Sequence, residues 1–489
     1  MPLRLSSSII FSLLNTNNLF PPFFQNSTLM AIASSYSSSS SSFCSVFSCS
    51  LFVMVMSAAL AASQPPLGLF EQEGVYRVLE AVNPEIPWRS LFPDDLCSSA
   101  PHGVVCDEGD DDDSGGVSHV TELNFGYVSD YTPNPPCSPK ATIHSSLLAP
   151  FTHLRKLFFF QCFTEAPVSF PDLSSLVSLE EAVFVENPAL YGSISGDIGR
   201  LRSLRRFVLT GTNVSGEMPV GFGDLYNVEQ VTLSRNKLSG YVRTNFQALN
   251  RLRVLDLSQN QFSGAVPVSI GNLTQLLKLD LSFNQFSGRI PETLRFLNSL
   301  EFLDLSYNRF TNSGIPAFIP AMRKLKEVYL SGNNLGGVIP EIWENMGGLQ
   351  GIGLSRTGLV GNIPVSMGIH LRNVCYLGLD NNYLEGTVPA EFGALEFVNE
   401  LNLENNNLSG KVPFSAEFAL KVGEKLKLHG NPLLCVDEGL RSAKVSGSLE
   451  NLKLCSRHYL PKSAPLSNSS PVLHSSTAFL IIGILCLFS

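Results

Sequence analysis

Three consecutive phrases, Leu255-Asp256-Leu257-Ser258-Gln259-Asn260, Leu279-Asp280-Leu281-Ser282-Phe283-Asn284 and Leu303-Asp304-Leu305-Ser306-Tyr307-Asn308, repeat one pattern at a constant step. The pattern is L-x-L-x-x-N, and its closing asparagine or threonine recurs at Asn236, Asn260, Asn284, Asn308, Asn333, Thr357, Asn382, Asn406 and Asn431, every 24 or 25 residues. A period of that length means a solenoid in which no single unit can bury its own apolar face and neighbours must stack. The alternating leucines predict a short strand on the concave side. The asparagine predicts a turn whose side chain bonds backbone groups of adjacent coils, before the chain returns along the outside.

The register runs upstream through Leu204-x-x-Phe207-x-Leu209-x-x-Thr212, Leu179-x-x-Ala182-x-Phe184-x-x-Asn187 and Leu154-x-x-Leu157-x-Phe159-x-x-Cys162, giving roughly a dozen coils. Between strands lies a second phrase, L-x-G-x-I/V-P, as in Phe262-Ser263-Gly264-Ala265-Val266-Pro267 and Leu384-Glu385-Gly386-Thr387-Val388-Pro389. Glycine permits the tight turn there, and proline fixes an extended return without needing a donor. This repeat resembles the plant-specific leucine-rich repeat class. The expected fold is an α/β solenoid, a right-handed leucine-rich repeat superhelix with disulfide-capped ends.

With 489 residues, 15% charged and 44% apolar, the chain can fill one continuous core. The first 63 residues carry a single charge, Arg4, so removing them takes the net charge from −9 to −10, which argues against nucleic acid as a partner. The apolar run around Leu51-Phe52-Val53-Met54-Val55-Met56, followed by small residues to Ser63, reads as a secretory signal behind an unusually long Ser-rich lead. The chain closes on apolar residues 478–489, preceded by a polar spacer and by small residues at Ser467 and Asn468. Twelve apolar residues fall short of the roughly 20 that span a bilayer, and the arrangement predicts a GPI anchor at Ser467 or Asn468. A short membrane helix and a simply processed tail are the competing readings, and each implies no cytoplasmic domain. The expected organisation is a signal region 1–63, an N-terminal cysteine cap 64–118, repeats 119–431, a C-terminal cysteine cap 432–460, a Ser/Pro spacer with the anchor site 461–477, and the apolar tail 478–489.

An exported chain makes disulfides the default. Cys97 and Cys106 bracket the first coil's exposed end, Cys435 and Cys455 the last, and Cys137 and Cys162 form the remaining close pair; Cys375 is left as a quiet free thiol. No spacing points to a metal or cofactor. Sequons at Asn213, Asn272 and Asn407 predict glycans placed away from most of the concave face. The acidic run 107–113 reads as a solvated loop rather than a calcium site, which needs better organised oxygens.

Strand side chains alternate, so the residues between the buried leucines map the concave face. The first coils offer an apolar patch, Phe158 and Phe160 with Val183, Val185 and Val208. The middle coils offer Asp256, Asp280 and Asp304 in line, flanked by Phe283 and Tyr307 with Arg235 upstream, then Glu327, Tyr329 and Arg356. Exposed aromatics and arginines tend to anchor protein interfaces, and a carboxylate ladder beside them suits a basic or peptide ligand. In the plainer reading the aspartates serve the hydrogen-bond ladder, and the insertion 128–150 covers Phe158 and Phe160.

There is no phosphate-binding glycine loop, nucleophile elbow or kinase segment, and His102, His119, His153, His370 and His429 stand singly in unrelated coils, so an enzyme is not expected. Outside the repeats, Glu71-Gln72-Glu73-Gly74-Val75-Tyr76, His102-Gly103-Val104-Val105-Cys106, Leu157-Phe158-Phe159-Phe160-Gln161-Cys162-Phe163 and Gly430-Asn431-Pro432-Leu433-Leu434-Cys435 resemble the plant receptor-like proteins that include TOO MANY MOUTHS and, more strongly, the Piriformospora indica-insensitive group. The resemblance implies a kinase-less receptor-like protein at the plasma membrane. Its expected partners are a leucine-rich repeat receptor kinase and/or a secreted peptide ligand, in developmental or symbiosis and defence signalling. A secreted inhibitor of microbial wall-degrading enzymes, like the polygalacturonase inhibitors, is the alternative.

Overall fold

The computed structural model describes residues 66–455 apart from 100, 102, 109–116, 128–133, 312, 443–448 and 450–451. The expected signal region, most of the acidic run, the spacer and the tail with Ser467 and Asn468 lie outside the described residues. No helix among the described residues is long and apolar enough to cross a membrane.

Each coil contributes a strand to one 14-stranded sheet whose spatial order follows the chain. Every neighbouring pair in it is parallel except the first, where Val104–Glu108 runs antiparallel to Ser118–Phe125. Parallel strands in sequence order require each connection to cross the outside of the coil, which gives the right-handed solenoid. The inward residues Leu255, Leu279 and Leu303 are in register and buried, and behind them Phe222, Phe246, Phe262, Phe286 and Phe310 fill the space between coils.

The asparagines act as expected. Asn284 donates from Nδ2 to the carbonyls of Leu257 (2.9 Å), Leu281 (3.2 Å) and Ser282 (3.1 Å), and its Oδ1 accepts from the Phe262 N–H (3.0 Å). One buried side chain thus satisfies groups of two coils that the turn would otherwise leave unpaired. Thr357 keeps part of the role, donating to Leu354 O at 2.7 Å.

The L-x-G phrase forms flanking sheets that its glycine and proline did not announce. Seven short strands run from Val168–Ser169 to Arg309–Phe310, and five from Val360–Asn362 to Lys453–Leu454. The return differs from the extended segment expected. Pro267, Pro291 and Pro389 are extended (ψ 129°, 132° and 130°), but each stands at the N-cap of a 3₁₀ turn on the outer side. Proline's fixed φ and missing N–H suit that position.

The ends are closed as the cysteines suggest. Helix Leu69–Val82 lays Val75, Val78, Leu79 and Val82 on the first coil, and Trp88 donates to Asn83 O at 3.0 Å. Disulfides join Cys97 to Cys106, Cys137 to Cys162, and Cys435 to Cys455. The expectation of a free thiol at Cys375 is corrected: this half-buried residue is also disulfide-bonded, as suits a chain whose other described cysteines are all oxidised.

Candidate binding face

Register decides which side chains share the concave surface. One row runs through Thr232, Asp256, Asp280, Asp304, Tyr329, Gly353, Gly378, Asn402 and Lys427. The three aspartates are therefore aligned, but they point largely into their own coils. Asp256 accepts from the Ser258 N–H (3.1 Å) and hydroxyl (2.7 Å), and Asp280 accepts from Ser282 at the same two distances. Both are buried, while Asp304 is half-exposed. Lys278 Nζ lies 3.0 Å from Asp256 and 3.5 Å from Asp280. Burial, reinforced by Asp256, pushes the Asp280 carboxyl up to about 7 against the pull of Lys278. Burial raises Asp304 as well.

The N-terminal patch is flatter than its composition suggests. Phe158, Val183 and Val208 form one ladder row and Phe160 and Val185 another. Strands under 5 Å apart let such rows cover themselves, and Phe160, Val183, Val185 and Val208 are each buried, with Phe158 half-buried. Phe160 is thus no exposed anchor. Arg235 is also engaged, its guanidinium ion-paired with Glu186 two coils upstream.

The open part of the face lies further on, where strand Gly351–Gly353 brings glycine to both outward positions. Tyr329 from the preceding coil lies over this strand: a Cβ at Gly351 would stand 2.5 Å from its Oη, and one at Gly353 would stand 2.7 Å from its ring. Tyr376 covers Gly378 of its own strand, where a Cβ would stand 2.5 Å from its Oη. The result is a cleft of about 610 Å³ with tyrosines on a glycine floor and Asp304, Glu327, Arg356, Asp380, Glu400 and Lys427 around it. Tyr329 Oη donates to Glu327 Oε2 at 2.8 Å, and burial, then Glu327, pushes this phenol well above its ordinary pKa. Lys427 bonds Glu400 at 2.6 Å.

At the margin, Phe283 and Tyr307 stack at 4.3 Å with 15° between planes, 49% and 44% exposed. Beyond them Arg356 is exposed and has no ion pair among the described residues. These marginal residues share a backbone feature that spacing alone did not reveal: each precedes the ladder asparagine or threonine in the left-handed region. The φ values are 58° at Arg235, 52° at Phe283, 51° at Tyr307 and 55° at Arg356, where Gly211, Gly332 and Gly430 stand in other coils at 68°, 70° and 72°. Gln161, Glu186, Gln259, Asn381 and Asn405 adopt the same conformation, so it belongs to the turn of the repeat, and a side chain there costs about 1–2 kcal/mol relative to ordinary backbone.

Asn213 and Asn407 open flanking strands, Asn272 ends an outer 3₁₀ turn, and all three are exposed, off the concave sheet. The structure also brings together two histidines that the sequence separates: His119 and His153 stack at 3.8 Å.

Comparison with known proteins agrees with this architecture. Family models described as leucine-rich repeats match residues 202–262, 275–297, 299–321 and 324–346. Protein TOO MANY MOUTHS of Arabidopsis thaliana is 35% identical over 137 residues, 28% of this chain and 26% of that protein. Receptor like protein 29 of the same plant is 35% identical over 157 residues, 31% of each. The chain thus aligns with less than a third of the length of these relatives. Among solved structures, the plant peptide hormone receptor RGFR1 in complex with RGF2 is 26% identical, with a TM-score of 0.53 over 61% of this chain and 46% of that one. PEPR1 with AtPEP1, 23% identical with a TM-score of 0.57 over 74% and 52%, shares the fold. The chain is a leucine-rich repeat protein whose repeats resemble those of plant receptor-like proteins.

Proposed function

We propose that this chain is a cell-surface receptor-like protein that binds an extended peptide or a protein loop on its concave face and acts with a leucine-rich repeat receptor kinase. The glycine-floored cleft carries the reading. It presents two tyrosine rings, seated on buried glycines, to a ligand, with carboxylates and Arg356 placed to read its charges, while the stacked Phe283 and Tyr307 offer an apolar anchor at the edge. Support also comes from the hormone-bound receptor to which the chain is similar. The GPI anchor at Ser467 or Asn468 and glycans at Asn213, Asn272 and Asn407 belong to the same proposal. So does the absence of an enzymatic role.

The test is expression of the tagged chain in plant cells, with recovery of receptor kinases and secreted peptides compared between wild type and a Tyr307→Ala, Arg356→Glu double variant. Partners retained by wild type and lost by the folded variant support the reading. Recovery of a microbial polygalacturonase, with inhibition of its activity in vitro, would favour the inhibitor function instead. Release from membranes by phosphatidylinositol-specific phospholipase C tests the anchor separately.

A further inference from the structure

We propose that Glu71, His119 and His153 form a site for a divalent transition-metal ion of the zinc class, binding the N-terminal cap to the first coils. The three come from different parts of the cap region. Glu71 lies in the first turn of helix Leu69–Val82, His119 on strand Ser118–Phe125, and His153 in the turn that leads into the next strand. One ligand atom from each falls within 4.8 Å of the others, the one such group among the described residues. Tetrahedral zinc with bonds of about 2.0–2.1 Å sets its ligand atoms roughly 3.3 Å apart. His119 Nδ1 and Glu71 Oε2 are already 3.0 Å apart, so the adjustment falls on exposed His153.

A plain carboxylate–imidazole hydrogen bond accounts for only half of Glu71. Its Oε1 is buried without a hydrogen bond, in a residue 7% exposed. A buried carboxylate oxygen with no partner is costly, and a cation supplies what one histidine does not. Two imidazoles face to face gain little as neutral rings and repel when both are protonated, whereas coordination of one ion uses both. Thr152 Oγ1 lies 3.2 Å from His153 Nδ1, a contact of the sort that orients metal-bound imidazoles. Two nitrogens and one oxygen suit zinc, cobalt, nickel or copper better than calcium or magnesium. Three protein ligands leave a fourth position for water on the solvent side of His153.

The experiment uses the secreted chain, stripped with chelator and titrated with cobalt and then zinc. The expected result is one cobalt per chain with the visible absorption of a four-coordinate site, displaced by zinc, and a raised melting temperature in zinc. His153→Ala, at an exposed position, should fold with the wild-type melting temperature in chelator and lose at least about tenfold in metal affinity. Glu71→Gln, which keeps the shape, should lose metal affinity to a similar degree. Equal affinity in wild type and His153→Ala would overturn the site and shift the binding to the acidic run that begins at Asp107. Absence of binding at roughly 100 µM metal, far above the range in which the binding free energies of structural zinc sites would fill them, would overturn it too.

Discussion

At Arg356 a charged side chain occupies a backbone conformation that other coils give to glycine. If its role is ligand contact, Arg356→Gly should leave the midpoint of urea unfolding unchanged or raise stability by up to about 1 kcal/mol, while partner recovery falls. A parallel loss of stability and binding would instead make the arginine structural. Asp280 offers a second test. Its folded pKa, pushed up to about 7 by burial first and then by Asp256, lies above the ordinary unfolded value. The folded chain therefore binds more protons than the unfolded one between roughly pH 4 and 7, so this residue's contribution is fully present below that window and is lost as pH rises through it. Asp280→Asn keeps an acceptor for Ser282 without the charge. It should melt higher than wild type at pH 8, with the difference closing near pH 4. The aspartate ladder was legible as a row in the sequence. Its use in the hydrogen-bond ladder stood there as the plainer of two readings, and the Ser258 and Ser282 hydroxyls that engage Asp256 and Asp280 favour it once the turn is built.

On the scale of one coil, the asparagine turn and the glycine floor make opposite predictions. Asn284→Ala removes four buried hydrogen bonds and leaves backbone groups of two coils unpaired, so it should cost about 2–4 kcal/mol in urea unfolding without altering the exposed face. Gly353→Val does the reverse. Its side chain meets the Tyr329 ring and Ser331 Oγ, the half-exposed tyrosine yields toward solvent, and about 1–3 kcal/mol is lost together with the cleft. Partner recovery should fall further in Gly353→Val than in Asn284→Ala, although the two lose similar stability. Reading outward-facing positions for large side chains directed attention to Tyr329 and Arg356 and passed over Gly351, Gly353 and Gly378. Absent side chains define the floor: Tyr329 lies over Gly351 and Gly353 because adjacent strands are in register, and Tyr376 lies over Gly378 of its own strand. The same register buries Phe160, Val183 and Val185, which composition alone presents as an exposed patch.

Over the whole molecule, stability is shared between neighbours, so the two ends carry a burden that inner coils do not. Replacing Cys435 and Cys455 together by alanine opens the loop that closes the final coil and should cost about 2–4 kcal/mol, read as a lower urea midpoint or an early separate transition. From the sequence by itself came the repeat length, the strand and turn of each coil, three disulfide pairs and the likeness to plant receptor-like proteins. All of these follow from periodicity and local chemistry, which a linear text records. The flanking sheets, the oxidised state of Cys375, the pairing of Arg235 with Glu186, the glycine floor and the meeting of Glu71 with His119 and His153 were decided only in the tertiary structure. Each depends on which residues of different coils come to face one another, and that distance is set by stacking and register rather than by position along the chain.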